Sequence, residues 1–409
     1  MPASSDCDYH RSARLAAIRP TILQIIPALD TGGAELSTLE IASAIVAGGG
    51  RALVVTGGGR LVSRILAAGG EIIPFPAGTK NPAQMILNAR ALAAIIRREN
   101  VDLVHARSRA PAWSALSAAR ATKRPFITTY HGAYNEKGPL KRAYNSVMAR
   151  GDIVIANSAY TADLVHTRYG TSKTKIRIIH RGVDQATFDR AAIGADRLAK
   201  LRRDWDIAEG QPVILQAARL TSWKGQPVVL DALATVLKSN PSSDVVAVFA
   251  GDDQGRTAYT DSLKRQIASL GLDRHVRLAG HVDDMPAAFA LATVSIIAST
   301  DPEAFGRTSI EAQMMGCPVI ATNIGAPPET VLAPPHTPPD QRTGWLVAPA
   351  DADAMAQALG EALRLSPADR SALSDRANRH VAAQFSLTAM KQATLRVYDD
   401  MLGTHLSDA

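Results

Sequence analysis

The sequence predicts an α/β protein with two doubly wound, Rossmann-like domains that face each other across a central cleft. A chain of 409 residues is long for one hydrophobic core, which indicates two domains. Short, nearly continuous apolar runs are typical of strands buried in parallel sheets. Longer helical patterns separate these runs, as in repeated βαβ units. Seven predicted strands precede a break near residues 181–190, and six follow it.

Each predicted strand is a short run rich in apolar and β-branched residues. The runs cover residues 21–28, 52–56, 71–75, 103–105, 126–130, 153–156, 176–180, 213–217, 245–250, 276–278, 294–298, 319–321 and 345–347. Helical patterns include 34–47, 82–98 and 228–238. A final amphipathic pattern over 385–402 is expected to pack back onto the first domain. The predicted domains are 21–190 and 191–384, with the final helix, taken as 385–406, belonging to the first.

Composition indicates a globular protein without a membrane span, because no window of 18 apolar residues is free of charge. Residues 1–20 contain charged residues and no apolar signal segment, so they are expected to form a disordered lead-in. Two cysteines provide no disulfide framework and fit a reducing cytoplasm. Cys317 follows a helical pattern and precedes a buried strand, which favours a core residue over a nucleophile.

Charge is divided unevenly along the chain. Residues 1–190 contain 25 Lys and Arg against 13 Asp and Glu, whereas the remainder carries a small acidic excess. A basic half can bind nucleic acid, an anionic membrane or an anionic substrate. Only 5% of residues are aromatic and no zinc-finger spacing occurs, which excludes the common nucleic-acid modules. We therefore expect an anionic membrane surface or an acidic acceptor as the partner of the first half.

The most informative motif contains Glu303 and Glu311, separated by Gly306, which is expected to begin a helix. Glu303 would lie in the preceding loop and Glu311 on the second or third turn. Free N–H groups and the positive dipole at the helix start suit a diphosphate. The two carboxylates would accept hydrogen bonds from a sugar and a ribose. Taken alone, the motif is better explained as an ordinary helix with a capping acid and an exposed Glu.

Other candidates in the second half follow predicted strands, where parallel sheets bind ligands. Arg219 and Lys224 lie beyond strand 213–217 and would neutralise a departing diphosphate. The alternative is that both are solvated surface charges. Leu278 ends strand 276–278, and the backbone there is expected to line a base pocket.

In the first half, Gly32 and Gly33 follow the first strand and would let the backbone approach a phosphate or sugar closely. They do not complete a GxGxxG motif, which weakens a nicotinamide interpretation, and a plain strand-to-helix turn is the alternative. His131 follows strand 126–130 and would reach a reacting sugar in the cleft, although a lone histidine is more often structural.

Several first-half cations are candidates for binding an acceptor or a membrane. Arg107 and Arg109 follow strand 103–105 and would be available to an anionic acceptor. Lys141 and Arg142 accompany Tyr144 in a short amphipathic pattern that would dock on a membrane. A solvated charged helix face explains the second pair equally well.

These motifs, taken together in their order, resemble the retaining glycosyltransferases of family four, which have the GT-B fold. The resemblance extends from the first strand to the last helix. It rests on Gly32-Gly33-Ala34-Glu35, His131-Gly132, Asn157-Ser158, Arg181-Gly182-Val183-Asp184, Ala218-Arg219-Leu220, Lys224-Gly225, Gly251-Asp252, Gly280 and Glu303 with Glu311. Arg181 departs from the asparagine that the family often has there, and the proline-rich insertion over 334–339 is unusual.

The resemblance implies a role for each matching residue. Arg219 and Lys224 would bind the donor diphosphate, Glu303 the hydroxyls of the transferred sugar, and Glu311 the ribose. The backbone of Phe305, Gly306 and Arg307 would lie against the phosphates, Gly33 would approach the phosphate, and His131 would lie near the donor sugar.

The implied reaction transfers a sugar from a nucleotide diphosphate donor to a glycan or lipid-linked acceptor, with retention and without a metal or cofactor. UDP-sugars are favoured over GDP-sugars. The implied setting is lipopolysaccharide or exopolysaccharide synthesis in the cytoplasm, with peripheral attachment to the inner membrane face. Asp351-Ala352-Asp353 has the Asp-x-Asp spacing of metal-dependent sugar transferases, but it is remote from the other motifs, in a predicted helix start. Two alternatives stay open: an epimerase-like enzyme of the same fold and a degenerate scaffold.

Overall fold

A computed structural model describes residues 19–30, 32–134, 136 and 138–408 of the chain. The lead-in predicted over residues 1–20 therefore lies outside the described residues, apart from Arg19 and Pro20.

The first sheet contains seven parallel strands within the described residues, in the order β3-β2-β1-β4-β5-β6-β7. Its centre is β1, where Ile22 is paired with Ala52 on one side and with Leu103 on the other. The strands are β1 (Thr21–Ile25), β2 (Arg51–Thr56), β3 (Glu71–Pro74), β4 (Leu103–Ala106), β5 (Phe126–Tyr130), β6 (Ile153–Ala156) and β7 (Ile176–Ile178).

The second sheet has six parallel strands over the part of the chain that the structure describes, in the order β10-β9-β8-β11-β12-β13. In both sheets the chain winds outward from the first strand in two directions, which defines a doubly wound fold. The predicted fold class is confirmed. The strands are β8 (Val213–Ala217), β9 (Val246–Ala250), β10 (Val276–Gly280), β11 (Val294–Ile297), β12 (Val319–Thr322) and β13 (Gly344–Val347).

Helices connect the strands and cover the sheets. The α-helices are α1 (Gly33–Ala47), α2 (Val62–Ala67), α3 (Pro82–Arg98), α4 (Arg109–Thr122), α5 (Pro139–Asn145), α6 (Ala159–Tyr169), α7 (Ala195–Asp204), α8 (Gln226–Ser239), α9 (Thr257–Ser269), α10 (Met285–Leu291), α11 (Arg307–Met314), α12 (Pro327–Thr330), α13 (Ala352–Leu363), α14 (Pro367–Gln384) and α15 (Leu387–Leu402). Short 3-10 helices cover Ser146–Ala149, Lys173–Lys175, Arg190–Ala192, Ser222–Lys224, Pro339–Gln341 and Leu406–Asp408.

Local sequence explains where several of these elements begin and why they are buried. Helix α3 starts at Pro82, with the Asn81 side chain accepting hydrogen bonds from the Ala83 and Gln84 N–H groups. Every residue of β1, β5 and β9 is buried, as expected for strands covered on both faces. The second sheet is enclosed by two apolar clusters, one containing Leu215 and Val248 and the other Ile214 and Phe249.

The chain forms two compact units. The first comprises Met1–Thr129, Ala143–Val154 and Lys391–Ala409, and the second comprises Tyr130–Arg142 and Ile155–Met390. These units do not coincide with the predicted domain ranges, which stay a prediction. Among the helices of the described residues, none is long and apolar enough to span a membrane.

Within the first unit, the C-terminal segment contributes to a buried polar cluster. The Tyr398 hydroxyl is 2.7 Å from Nδ1 of His105, and Nε2 of His105 is 2.7 Å from the Thr129 hydroxyl. All three residues are buried. Burial raises the pKa of Tyr398 to about 12, so its hydroxyl stays protonated and can serve as a hydrogen-bond donor.

We expect the Cys317 thiol to be inert in the folded protein. It is 1% exposed, and burial raises its pKa to about 12, so little nucleophilic thiolate is present at neutral pH. The native protein, treated with a maleimide and analysed by peptide mapping, should be unmodified at Cys317. The same treatment in denaturant should modify it fully. Equal modification under both conditions would contradict the buried position.

Candidate functional site

The centre of the candidate site in the second unit is an ion pair between Lys224 and Glu303. The Lys224 ammonium contacts Oε1 of Glu303, and the Ser299 hydroxyl donates to the same oxygen at 2.5 Å. The side chains of Lys224 and Glu303 are only 18% and 9% exposed. A carboxylate is therefore held in a largely buried position by charge and by hydrogen bonding.

The backbone around Glu303 is fixed by the segment that follows β12. The Glu303 N–H donates to the Ile324 carbonyl at 3.2 Å, and the Ala326 N–H donates to the Glu303 carbonyl at 2.9 Å. Gly325, between these two residues, has a φ of 90°. A Cβ atom there would lie 2.2 Å from the Glu303 carbonyl oxygen. Only glycine lets the two segments approach this closely.

Lys224 is positioned by the loop that follows β8. It ends the 3-10 helix Ser222–Lys224, and its carbonyl accepts a hydrogen bond from the Gln216 side chain at 2.6 Å. Its ammonium lies 4.1 Å from the centroid of the Trp223 ring, within the range of a cation–π contact. A cation is thus directed toward Glu303 by an aromatic face and a fixed backbone.

Arg219 lies in the same loop but is exposed, and its guanidinium donates to the Gln254 side chain at 3.4 Å. It lines a cavity of about 290 Å³ together with Arg256, Thr221, Ser222, Trp223 and Tyr259. The Thr221 hydroxyl is buried and, among the described residues, has no hydrogen-bond partner. Two guanidinium groups and an unused hydroxyl make this cavity suitable for an anion.

Helix α11 begins where the sequence predicts. Its cap is Gly306, with a φ of 82°, and Glu311 is its fifth residue, at the start of the second turn. The Arg307 guanidinium donates to the Glu311 carboxylate at 2.9 Å, and both side chains are mostly buried. Phe305, before the cap, is buried against the rings of His180 and Phe385.

His131 contacts Arg181, to which the sequence gave no chemical role. The Arg181 guanidinium hydrogen-bonds to Nδ1 of His131, and Arg181 is 6% exposed. A guanidinium can only donate, so Nδ1 of His131 must be the acceptor.

The start of α6 anchors the loop that contains Glu303, a feature that the sequence reasoning missed. The Ser158 hydroxyl donates to the Ala304 carbonyl at 2.7 Å. The N–H groups of Ala159 and Tyr160 donate to the Glu329 carboxylate at 2.8 and 2.9 Å. Ser158 followed by Thr161 is a capping pattern that indicates a helix start, but not its partners.

Glu329 is an ionised acceptor in this arrangement. Partial burial raises its pKa, but hydrogen bonds from His180, Tyr160 and Ala159 lower it more, so the net pKa is below the ordinary value. His180 approaches it at 3.2 Å through Nε2. A carboxylate at the first N–H groups of a helix is also favoured by the helix dipole.

The remaining candidates lie on other elements of the two units. Gly33 begins α1 in the first unit, and Gly32 is its cap. Leu278 is half-buried in β10, and Lys141 is exposed on α5. Arg142 is also exposed, and its guanidinium donates to the Arg168 carbonyl.

Arg107 differs from the expectation of an available cation. It is 2% exposed, and its guanidinium donates to the Gln24 side chain at 2.9 and 2.5 Å. Burial lowers its pKa, although the group stays charged. The Arg107 guanidinium therefore binds a side chain of the first sheet and is not exposed to an acceptor. Arg109 is half-buried and donates to Asn145 at 2.8 Å.

The described residues contain no cluster of three or more His, Cys, Asp or Glu side chains that would hold a metal ion. The Asp351 carboxylate accepts a hydrogen bond from the Ala354 N–H at 2.8 Å and caps α13. This contact gives Asp351 a structural role at a helix start.

The chain forms two doubly wound sheets. A helix start and a buried Lys–Glu pair lie beyond the strand ends of the second sheet. This combination is that of the GT-B class. The sequence matches Glycosyltransferase Family 4 over residues 31–187 and Glycosyl transferases group 1 over residues 199–380. A crystal structure of a glycosyltransferase from Rickettsia africae is 35% identical, with a TM-score of 0.84; the match covers 94% of this chain and 99% of that one.

Other similar proteins are also glycosyltransferases by name or share the fold. The crystal structure of Anabaena HepE in complex with UDP and glucose has a TM-score of 0.77 over 92% of this chain and 99% of that one, but at 24% identity it shows the fold alone. A GDP-mannose-dependent alpha-(1-6)-phosphatidylinositol monomannoside mannosyltransferase from Mycolicibacterium smegmatis is 30% identical over 60% of this chain. A D-inositol 3-phosphate glycosyltransferase from Streptomyces avermitilis is 31% identical over 63%.

This chain spans 63% and 54% of the lengths of the last two relatives, which is less than two thirds of each. The Rickettsia glycosyltransferase, by contrast, is matched over almost its whole length. The chain belongs to glycosyltransferase family 4.

Replacing Lys224 should separate its structural role from its functional role. Lys224→Met leaves a largely buried carboxylate unpaired, which should lower the free energy of unfolding by about 3 kcal/mol. Adding Glu303→Leu removes that charge and should restore most of the stability, but not donor turnover. Urea unfolding and a turnover assay measure the two effects. Lys238→Met, at an exposed position on α8, is the control. An unchanged stability in Lys224→Met would contradict the importance of the pair.

Glu329→Gln should destabilise the protein in a pH-dependent way. At neutral pH the variant loses charge-assisted hydrogen bonds, at a cost of about 1.5–3 kcal/mol. Because the folded pKa is lowered, this contribution is present above the unfolded pKa of about 4.3 and disappears as the pH falls through the folded pKa. Urea unfolding at several pH values measures the difference. Glu209→Gln, at an exposed position, is the control, and a pH-independent difference would refute the assignment.

Proposed function

We propose that this protein is a retaining, metal-independent glycosyltransferase that moves a sugar from a nucleotide diphosphate donor to a glycan or glycolipid acceptor. The Lys224–Glu303 pair, beyond the carboxyl end of β8, is the observation that supports the proposal most strongly. It offers one group for a diphosphate and one for sugar hydroxyls at the same point.

The donor would be held by opposite charges and by the start of α11. Lys224 and Arg219 would neutralise the diphosphate, and the first N–H groups of α11 would donate to its oxygens. Glu303 would accept hydrogen bonds from the sugar, and Glu311 from the ribose. Binding a diphosphate would compete with Glu303 for Lys224, so the ion pair would loosen when the donor enters.

The reaction would break the bond between the anomeric carbon and the diphosphate oxygen and form a bond from that carbon to the acceptor oxygen. Negative charge develops on the leaving diphosphate, where Lys224, Arg219 and the helix start would stabilise it. The acceptor hydroxyl would attack from the face that the diphosphate leaves and pass its proton to the leaving oxygen. His131 would lie near the donor sugar.

The donor base is proposed to be uridine in preference to guanosine, so that UDP-sugars are favoured over GDP-sugars. The Anabaena HepE structure contains UDP, whereas the relatives from Mycolicibacterium smegmatis and Corynebacterium glutamicum are named as GDP-mannose-dependent. Both bases therefore belong in any binding experiment.

The acceptor is proposed to be a glycan or a lipid-linked glycan of the cell surface, as in lipopolysaccharide or exopolysaccharide synthesis. The basic excess in residues 1–190 favours an anionic acceptor or an anionic membrane surface. Two relatives are named for phosphatidylinositol mannoside acceptors, which are anionic lipids. A cytoplasmic location with peripheral attachment to the inner membrane face is part of the proposal.

A thermal-shift panel with UDP, GDP, ADP and their sugars should identify the donor. A ligand at about 100 times its dissociation constant stabilises a protein by about 2.7 kcal/mol, which raises the melting temperature measurably. One nucleotide should produce this shift, and Arg219→Ala and Glu311→Ala should reduce it. Arg265→Ala, at an exposed position on α9, should retain it as the matched control.

The panel also has outcomes that count against the proposal. A shift that survives Arg219→Ala would remove that residue from the diphosphate site. The absence of a shift with every nucleotide and nucleotide sugar would favour a degenerate scaffold and overturn the proposed activity.

A further inference from the structure

The first unit contains an open groove of about 850 Å³ between helices α3 and α4, which the donor site does not use. Its apolar lining comes mainly from one face of α3 and from two aromatic residues. Ile86 is 60% exposed, so its side chain is not covered by the protein itself. The apolar lining includes Met85, Ile86, Ala89, Ala93, Trp113 and Tyr144.

Small residues give the groove its depth. Ala89 and Ala93 on α3 face Ser114 and Ala121 on α4, so the packed helices leave a concave space instead of a ridge. The Ser114 hydroxyl donates to the Met85 carbonyl at 2.8 Å and ties the two helices together. A volume in this range is that of a site for a small molecule or a single lipid chain.

The rim of the groove is positively charged. Its ionisable lining residues are Lys80, Arg90, Arg97, Arg150 and Tyr144, so no carboxylate lines the groove within the described residues. None of the four cations forms an ion pair with another described residue. The sequences of α3 and α4 contain five arginines and no acidic residue. Unpaired cations around an apolar floor are complementary to an anionic amphiphile.

An aromatic wall connects the apolar floor to the charged rim. The Arg150 guanidinium lies 4.9 Å from the centroid of the Trp113 ring. The Trp113 indole N–H donates to the Tyr144 carbonyl at 3.1 Å, which fixes the ring. A cation held over an aromatic face, next to apolar side chains, places a positive charge at the edge of an apolar surface.

We propose that this groove binds the hydrocarbon chain of a lipid-linked acceptor, with the phosphate of the lipid at the arginine rim. The apolar chain would cover Ile86, Met85 and the Trp113 ring, which burial from water favours. Arg90, Arg97 and Arg150 would pair with the phosphate. The inference rests on the proposed function because it takes the lipid to be the acceptor. The concave shape of the groove favours the binding of a single hydrocarbon chain over contact with a flat bilayer surface.

Decyl phosphate, used as a monomer below its critical micelle concentration, tests the groove. Isothermal titration should show binding, and decanol or inorganic phosphate alone should bind at least about tenfold more weakly. Ser117→Trp would fill the groove from an exposed position on α4, and Arg90→Glu with Arg97→Glu would reverse the rim charge. Each change should weaken the binding of decyl phosphate by about tenfold, which corresponds to about 1.4 kcal/mol of binding free energy.

Three controls show whether a loss of decyl phosphate binding comes from the groove itself. They test for unfolding, for a general effect of charge and for a change at the donor site. Arg64→Glu makes the same charge reversal on α2, at an exposed position outside the groove, and should leave binding unchanged. Far-ultraviolet circular dichroism should report a folded protein for every variant, and Ala89→Trp replaces Ser117→Trp if that variant unfolds. Nucleotide-induced thermal shifts should be equal in all variants. If the wild type shows no such shift, the result counts against the proposed function and not against lipid binding in the groove.

Two results would overturn the inference. Decyl phosphate binding that is unaffected by filling the groove would place the lipid elsewhere. Binding to vesicles of phosphatidylglycerol and phosphatidylcholine, without binding of monomeric decyl phosphate, would make this face a bilayer surface and not a chain site.

Discussion

The Lys224–Glu303 ion pair is the interaction on which the candidate site depends, because three loops meet at Glu303. Lys224 comes from the loop after β8, Ser299 from the end of β11 and Gly325 from the segment after β12. These strands are neighbours in the order β8-β11-β12. A doubly wound sheet therefore brings their carboxyl ends together, although their loops are separated by many residues of sequence.

Each of the two largely buried carboxylates of the site is paired with a cation. Lys224 is paired with Glu303, and Arg307 with Glu311, so neither carboxylate is left buried without a cation. A nucleotide diphosphate would disturb this pairing by competing for the cations. The resulting release of Glu303 and Glu311 would make their oxygens available to hydroxyl groups when the donor arrives. Such an exchange would let the same cations stabilise the buried carboxylates and bind an anion.

Sequence patterns were sufficient for the elements and for the local placement of the motif residues. Strand 153–156 and helix 82–98 were predicted to the residue, because a continuous apolar run and an Asn–Pro start are local signals. The start of α11 beside Glu303 is also local. Pairs distant in sequence were not predictable. Arg107 and Gln24 are 83 positions apart, and Ala159 and Glu329 are 170 apart. No periodicity shows that an arginine after a strand points into the sheet.

The contribution of Lys391–Ala409 to the first unit has a consequence for the order of events at the ribosome. Nearly all other residues of that unit are synthesised before the second unit begins to emerge, yet Tyr398, which contacts His105, is made only after the second unit. A nascent first unit would lack the contact between the buried His105 and Tyr398, while the second unit can already close on itself. Completion of the first unit must therefore wait for the segment that follows the second unit, so chain elongation and this docking step are coupled in time.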